Sequence, residues 1–292
     1  MSANKKISLS LAYSPCPNDT YIFHAIAHKL IDTKEFDFKI TLADVETLNK
    51  NAEKKCFDIT KLSFGALGHL RQKYAILKTG AALGRGCGPL IIFKSLKEKI
   101  KKTNPRIAVP KIAVPGLGTT AYFLLRLYLK NLYPDVNPEF IPMPFENVMP
   151  CVIKEDADFG VIIHEARFVF DKIGLKCLVD LGKWWEDKTT LPIPLGCIAV
   201  KREIDPLIAL KIESLISQSI DYAFKNPDAG VDYIKKHAKE LNNDVIKQHI
   251  NLYVNDFSKN IGNQGKKAIK LFFEKAENAG LIPKINKSLF IH

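Results

Sequence analysis

Residues 7–30, ISLSLAYSPCPNDTYIFHAIAHKL, decide the fold class. Ile7, Leu9 and Leu11 alternate with Ser8, Ser10 and Ala12, the two-residue period of a strand, and the run breaks at Ser14-Pro15-Cys16-Pro17-Asn18-Asp19-Thr20. A helix is expected directly afterwards. Asn18 or Asp19 can cap it, and Ile22, Phe23, Ile26, Ala27 and Leu30 form its apolar stripe. Phe38, Ile40 and Leu42 repeat the strand period, 47–54 reads as a short helix, and 57–61 reads as a third strand ending in Lys61-Leu62-Ser63 before a helix over 64–73. Alternating strand and helix predicts an α/β domain with a largely parallel sheet.

The pattern begins again further along. Leu83-Gly84-Arg85-Gly86-Cys87-Gly88-Pro89 leads into the apolar run Leu90 to Phe93. Ile112-Ala113-Val114-Pro115 is a short buried-strand candidate, and Gly116-Leu117-Gly118-Thr119-Thr120 opens a periodic helix through Tyr122, Phe123, Leu125, Leu127 and Leu129. Strand signals recur at 159–163 and 177–181, and a second apolar run, Leu195 to Val200, resembles the one at 90–93. The remainder reads as helices, the first capped by Asp205-Pro206 and carrying Leu207, Leu210, Leu215, Ile216, Ile220 and Phe224.

Composition narrows the function classes. At 292 residues, 47% hydrophobic and 25% charged, the chain is globular, and roughly 150 residues per domain suggests two domains. Its 43 Lys+Arg against 31 Asp+Glu give +12, but six of the cations are arginine, the residue whose fork suits phosphates and bases. The excess, including the run Lys97, Lys99, Lys101 and Lys102, therefore reads as a solvated lysine surface, and no nucleic-acid partner is expected. The six cysteines, at 16, 56, 87, 151, 177 and 197, form no C-x-x-C pair and have no histidine at zinc-ligand spacing, so no metal is expected. Single, widely spaced thiols fit a reducing compartment, and no run approaches the roughly 20 apolar residues of a membrane span. Lys5-Lys6 before Ile7 to Tyr13 and Cys16 imitates a lipoprotein signal, but Pro15 and the intervening serines argue against it; the expectation is a cytoplasmic protein without a membrane partner.

Three segments at strand ends carry polar groups where α/β sheets bind ligands. In Ser14 to Thr20, prolines rigidify a turn that presents Asn18, Asp19 and Thr20, a pattern that equally suits a capped turn. In Gly116 to Thr120, free N–H groups at a helix start attract a carboxylate or phosphate, although an ordinary Thr cap has the same pattern. Neither a Walker loop nor G-x-G-x-x-G is present, so no nucleotide is indicated. The third segment, Lys61-Leu62-Ser63, ends a strand with an ammonium and a hydroxyl. Among the histidines, His24 and His28 lie one helical turn apart and suit helix packing, and His69, His237 and His249 fall in helix patterns. His164 differs, because it ends the run Phe159, Val161, Ile162, Ile163 at a strand's carboxyl end, where a neutral imidazole can accept a proton near neutral pH. No G-x-S-x-G elbow supports a serine nucleophile.

Taken together, Ser14-Pro15-Cys16-Pro17-Asn18-Asp19-Thr20, Asp44-Val45-Glu46-Thr47-Leu48-Asn49, Thr60-Lys61-Leu62-Ser63, Gly84-Arg85-Gly86 with Gly88-Pro89-Leu90, and Val114-Pro115-Gly116 with Thr119 to Leu125 recur in this order in one family. So do Ile162-Ile163-His164-Glu165 with Arg167-Phe168, Asp180-Leu181-Gly182 with Trp184-Trp185-Glu186, and Leu191-Pro192 with Pro194-Leu195-Gly196. From about Ser10 to Phe290 the sequence resembles the 1,4-dihydroxy-6-naphthoate synthases of the futalosine route to menaquinone. The resemblance implies a two-lobed, periplasmic-binding-protein-like (type II) α/β fold. Each lobe would be a mixed, mostly parallel sheet flanked by helices, with residues 1–93 plus 199–292 as the larger lobe and 94–198 inserted. It implies a carbon–carbon lyase that converts cyclic dehypoxanthine futalosine, a small carboxylate, to 1,4-dihydroxy-6-naphthoate without cofactor or metal. Its catalytic base falls on His164, and its substrate-binding segments fall on Lys61, Leu62 and Ser63 and on Thr119 and Thr120. Lys61 and the Thr119-Thr120 helix start are the expected holders of the carboxylate. Asn18, Arg85 and Trp184 are further candidates that suit a turn, a hinge or a lobe contact equally well. The alternatives are the related chorismate dehydratase of the same pathway and a non-catalytic solute-binding protein.

Overall fold

Strand β1 (Ile7–Tyr13), helix α1 (Pro17–Ala27), β2 (Phe36–Leu42), α2 (Val45–Glu53), β3 (Ile59–Ser63) and α3 (Phe64–Leu70) alternate as the sequence predicts. The computed structural model describes residues 6–95, 109–238 and 242–291; the lysine run at 97–102 and most of the segment 101–111 lie outside them. Pro17 starts α1 because its ring fixes φ and its missing N–H would have no helical partner there. Cys16, rather than Asn18 or Asp19, occupies the cap position, and its side chain makes no capping bond.

Two short strands, β4 (Tyr74–Ile76) and β5 (Ala82–Gly84), precede the first passage between lobes. The second lobe contains β6 (Leu90–Phe93), β7 (Lys111–Val114), α4 (Thr120–Leu132), β8 (Glu139–Pro142), α5 (Phe145–Ile153), β9 (Phe159–Ile162), β10 (Lys176–Asp180) and α6 (Leu181–Thr189). The chain returns through β11 (Ile193–Lys201) and ends in α7 (Pro206–Lys225), α8 (Val231–His237), α9 (Asn243–Tyr253), α10 (Asp256–Lys259) and α11 (Gly262–Asn278).

The first sheet has the order β2-β1-β3-β11-β4, with β5 on β11; the second has the order β10-β6-β9-β7-β8. Both are mixed rather than mostly parallel. Parallel pairing holds within β2-β1-β3 and β8-β7-β9, whereas each antiparallel pair involves β6 or β11. Those strands lead the chain across the junction and therefore enter each sheet against its direction. Sheet membership also moves both crossings toward the N-terminus. β6 already pairs in the second sheet and β11 pairs in the first from Ile193, so the chain crosses at 85–89 and 190–192, not after 93 and 198. At the first crossing Gly88 (φ +128°) packs on Gly182, where an added Cβ on Gly182 would lie 1.7 Å from the Cys87 carbonyl oxygen. Glycine is required on both sides of that approach.

The lobes share one apolar cluster. Leu62, Phe64, Phe272 and Phe273 of the first lobe belong with Val114, Phe123, Leu124 and Trp185 of the second. Burying each such side chain stabilises the fold by about 1.5–3 kcal/mol, so the junction is held by packing as well as by its two linking segments. A second cluster joins α1 to α7, where the Tyr21 hydroxyl donates to the Ala223 carbonyl (2.8 Å) and Ser219 Oγ donates to that of Ile22 (2.6 Å). This leaves α1 buried from Pro17 to Ile26, which places its first turn at the junction without solvent around it.

Candidate active site at the lobe junction

Asp19, in the first turn of α1, is 1% exposed and accepts hydrogen bonds from the Ser14 N–H (3.2 Å), Ser14 Oγ (2.9 Å) and Asn18 Nδ2 (2.8 Å). Lys61 Nζ completes its shell at 2.6 Å. A buried carboxylate requires such a set, because desolvation is offset only when its lone pairs are matched. Lys61, 5% exposed, is therefore already paired with Asp19. Strand alternation separates its neighbours: Lys61 and Ser63 line the junction cavity, while Leu62, fully buried, joins the core. Ser63 is fixed by Asn49, which donates to Ser63 Oγ (2.7 Å) and accepts from the Ser63 N–H (3.1 Å).

The second wall is the start of α4. Gly116 (φ +118°) turns the chain where an added Cβ would meet Glu46 at 2.6 Å. Thr119 caps the helix by accepting from the Tyr122 N–H (3.2 Å). Thr120 ties the lobes together: its hydroxyl donates to the Leu195 carbonyl (2.5 Å) and accepts from the Gly65 N–H (3.2 Å). Thr119, Thr120 and Ala121 line the cavity, and none of the first three residues of α4 is acidic.

The third wall carries His164. It follows β9 with φ +56°, a left-handed conformation that costs a non-glycine residue about 1–3 kcal/mol and is typically held in place at functional sites. Its Nδ1 lies 3.6 Å from Cys16 Sγ, and Phe145 stands edge-on with ring centres 5.0 Å apart. Burial lowers the imidazole pKa to about 4, with Asp19 opposing and Lys61 assisting, so the ring is neutral at neutral pH. Burial, then Glu165 and Asp19, pushes the Cys16 thiol well above its ordinary range, so it stays protonated. Cys16, His164 and Glu165 bring sulfur, nitrogen and oxygen atoms within 4.8 Å of one another, the grouping among the described residues whose donors could hold a metal ion.

His249 of α9 is the functional candidate that sequence reasoning missed. It is 1% exposed, lines the cavity, and its ring lies 6.2 Å from that of His164 and 20° from parallel. The available signal was its place on the apolar face of its helix, in register with Ile246 and Tyr253. Burial, His164 and Lys61 all push its pKa down, so it too is neutral.

These walls enclose an inner cavity of about 90 Å³ that adjoins an outer cleft of about 700 Å³. Ile163, His164 and Val45 line both, so His164 stands where the two meet. Asn18, Lys61, Ser63, Thr119, Thr120 and His164 are thus brought together as the sequence suggests. Arg85 and Trp184 are not. Arg85 sits at the crossing, where it donates to the Thr190 carbonyl (2.9 Å) and pairs with Glu186 (3.6 Å); Trp184 packs edge-on against Tyr128.

Fold and cavity define the class: a two-lobed, periplasmic-binding-protein-like fold with a pocket at its junction. A Candida albicans protein described as exhibiting the generic periplasmic binding protein fold superposes with a TM-score of 0.68 at 13% identity, covering 96% of this chain and 92% of that one. A solved protein of Archaeoglobus fulgidus is more similar, with 33% identity and a TM-score of 0.85 over 94% of this chain and 98% of its own. Residues 9–278 match the family described as menaquinone biosynthesis, and the chain belongs to that family. Two curated relatives named 1,4-dihydroxy-6-naphthoate synthase are each 37% identical to it. The one from Thermus thermophilus is matched over 97% of this chain and 99% of its own, and that from Streptomyces coelicolor over 94% and 95%. No helix among the described residues is long and apolar enough to cross a membrane.

Proposed function

We propose that this protein is a carbon–carbon lyase that converts cyclic dehypoxanthine futalosine to 1,4-dihydroxy-6-naphthoate, with His164 as general base. One observation carries the reading: a neutral, strained imidazole stands where a small inner cavity meets a cleft large enough for a bicyclic substrate with its sugar-derived part. In the tautomer with Nδ1–H directed at Cys16 Sγ, which this reading requires, Nε2 keeps the lone pair that takes the proton activated by the substrate ketone. Carbon–carbon cleavage follows, the sugar-derived fragment leaves, and aromatisation of the new ring drives the step. The start of α4 takes the substrate carboxylate, since its N-terminal N–H groups and helix dipole favour an anion and its first turn carries no acidic residue, the Glu46 carboxylate reaching only the Gly118 N–H ahead of the helix (3.4 Å). The names of the two curated relatives support the choice of reaction.

His164→Asn, shown to be folded by circular dichroism, is expected to lose 10²- to 10⁴-fold in kcat/KM, the usual contribution of a positioned base. Wild-type turnover by that variant overturns the mechanism. Incubation of the wild-type protein with chorismate is expected to give no carboxyvinyl product; such a product would assign the chain to the dehydratase reaction instead.

A further inference from the structure

His249 has more hydrogen-bonding capacity than the protein uses. Its Nε2 lies 2.9 Å from Asn18 Oδ1, and the Asn18 amide is oriented by donating from Nδ2 to Asp19 Oδ1 at 2.8 Å. Asn18 Oδ1 is therefore the acceptor, His249 Nε2–H the donor, and the lone pair belongs to Nδ1. Among the described residues Nδ1 has no hydrogen-bond partner although it is buried. Buried acceptors are rarely left unmatched, and this one belongs to a ring that forms part of the inner cavity wall. Asn18, Asp19 and Lys61 hold the ring in this tautomer through one continuous chain of bonds.

We infer that His249 Nδ1 accepts a hydrogen bond from a hydroxyl group of the molecule bound in the inner cavity. The donor is a neutral hydroxyl and not a carboxylate, because an anion would face a lone pair. Together with the start of α4, this fixes the ligand's direction: carboxylate at α4, hydroxyl at His249. The inference rests on the proposed function for the identity of the ligand, and the product 1,4-dihydroxy-6-naphthoate carries both groups.

Two substitutions separate binding from support. In His249→Gln the side-chain amide nitrogen reaches the place of Nε2, keeps the bond to Asn18 and removes the acceptor at Nδ1. In His249→Asn the amide reaches the place of Nδ1 and restores an acceptor there while losing the bond to Asn18. Product affinity by titration calorimetry, and KM and kcat for cyclic dehypoxanthine futalosine, are measured on both alongside wild type, with thermal melting to confirm folding. The expected result is product binding weakened about tenfold in His249→Gln, the size of one neutral hydrogen bond, and recovered to within about threefold in His249→Asn. The reverse order, Gln like wild type and Asn impaired, overturns the inference and leaves His249 as support for Asn18. Wild-type binding and turnover with no change in either variant also overturns it while leaving the proposed function standing. A wild-type protein that neither binds the product nor turns over the substrate overturns both.

Discussion

Two helices begin at the inner cavity, and their first turns are built in opposite ways. In α1 the cap residue Cys16 makes no side-chain capping bond, but Asp19 places a carboxylate in the first turn, where Lys61 and three further hydrogen bonds hold it. In α4 the cap is a neutral threonine hydroxyl, and Thr120, Ala121 and Tyr122 carry no charge. Both N-termini favour an anion. One has an anion of the chain's own inside its first turn, already matched by a cation; the other has no acidic residue in its first turn, and Glu46 reaches only the Gly118 N–H ahead of it (3.4 Å). The difference teaches that the cation at this site serves the protein's internal carboxylate, which is why the proposed function places the substrate carboxylate at the backbone of α4 and not at Lys61.

The largest effect should come from breaking the filled end. Asp19→Asn leaves Lys61 buried without its counter-ion, and removal of one member of a buried pair typically costs about 3–5 kcal/mol. Urea unfolding of this variant and of Asp19→Asn with Lys61→Met measures it. The double variant should recover most of the loss, because the orphaned charge is gone. A single variant within about 1 kcal/mol of wild type would show that Lys61 finds other compensation and that the two helix starts differ less than their geometry indicates.

A smaller effect is expected from making the open end resemble the filled one. Thr119→Asp keeps a good cap, since aspartate accepts from the same N–H groups, but adds a negative charge where the substrate carboxylate is proposed to sit. Stability should fall as well, because Thr119 is 2% exposed and its hydroxyl also donates to the Gly116 carbonyl (2.8 Å), and on the protein that remains folded KM rises roughly 10- to 100-fold, the range for like charges a few ångströms apart at intermediate screening. Thr119→Ser should behave as wild type. An unchanged KM in the aspartate variant would move the carboxylate away from α4.

Much of this site was legible in the sequence, and what was not has identifiable physical reasons. The β1-α1 junction shows itself through a strand period stopped by Pro15 and Pro17, and His164 through its place after an apolar strand. β4 and β5, three residues each, are too short to display a period, and β8 ends in a proline. The apolar runs of β6 and β11 mark crossing strands, but the sheet each joins depends on pairing with distant strands and not on local pattern. The partner of Lys61 lies 42 residues away, so nothing local foretold that its charge was taken. His249 sits in a helix whose apolar stripe resembles any other, and only the fold brings it beside His164.

The depressed histidines on the two sides of the cavity make an acid test of the same comparison. The folded pKa of His164 lies at about 4 and that of His249 well below the ordinary 6.5, so in the window below 6.5 the unfolded chain binds more protons than the folded one. Stability from these groups is present above pH 6.5 and is lost as pH falls through that window. Unfolding free energies at pH 7 and pH 5 should show the loss, with a smaller loss in His249→Gln. The acid limb of kcat/KM should likewise fall near pH 4 if His164 is the base; a limb near 6.5 would mean that the ring is solvated when the enzyme works.

The smallest effect is expected at Cys16, where the start of α1 touches the proposed base. The 3.6 Å contact from Sγ to His164 Nδ1 orients the ring, but sulfur is a weak hydrogen-bonding atom, and its protonated state gives it no charge with which to raise the basicity of the imidazole. Because the Cys16 side chain does not cap α1, Cys16→Ala removes this contact without uncapping the helix. The expected outcome is a fall in kcat of less than about tenfold, the worth of one hydrogen bond, with KM unchanged and partial recovery in Cys16→Ser. A loss beyond 100-fold would mean that the thiol takes part in the chemistry, and α1 would then contribute a reacting group as well as the Asp19–Lys61 scaffold.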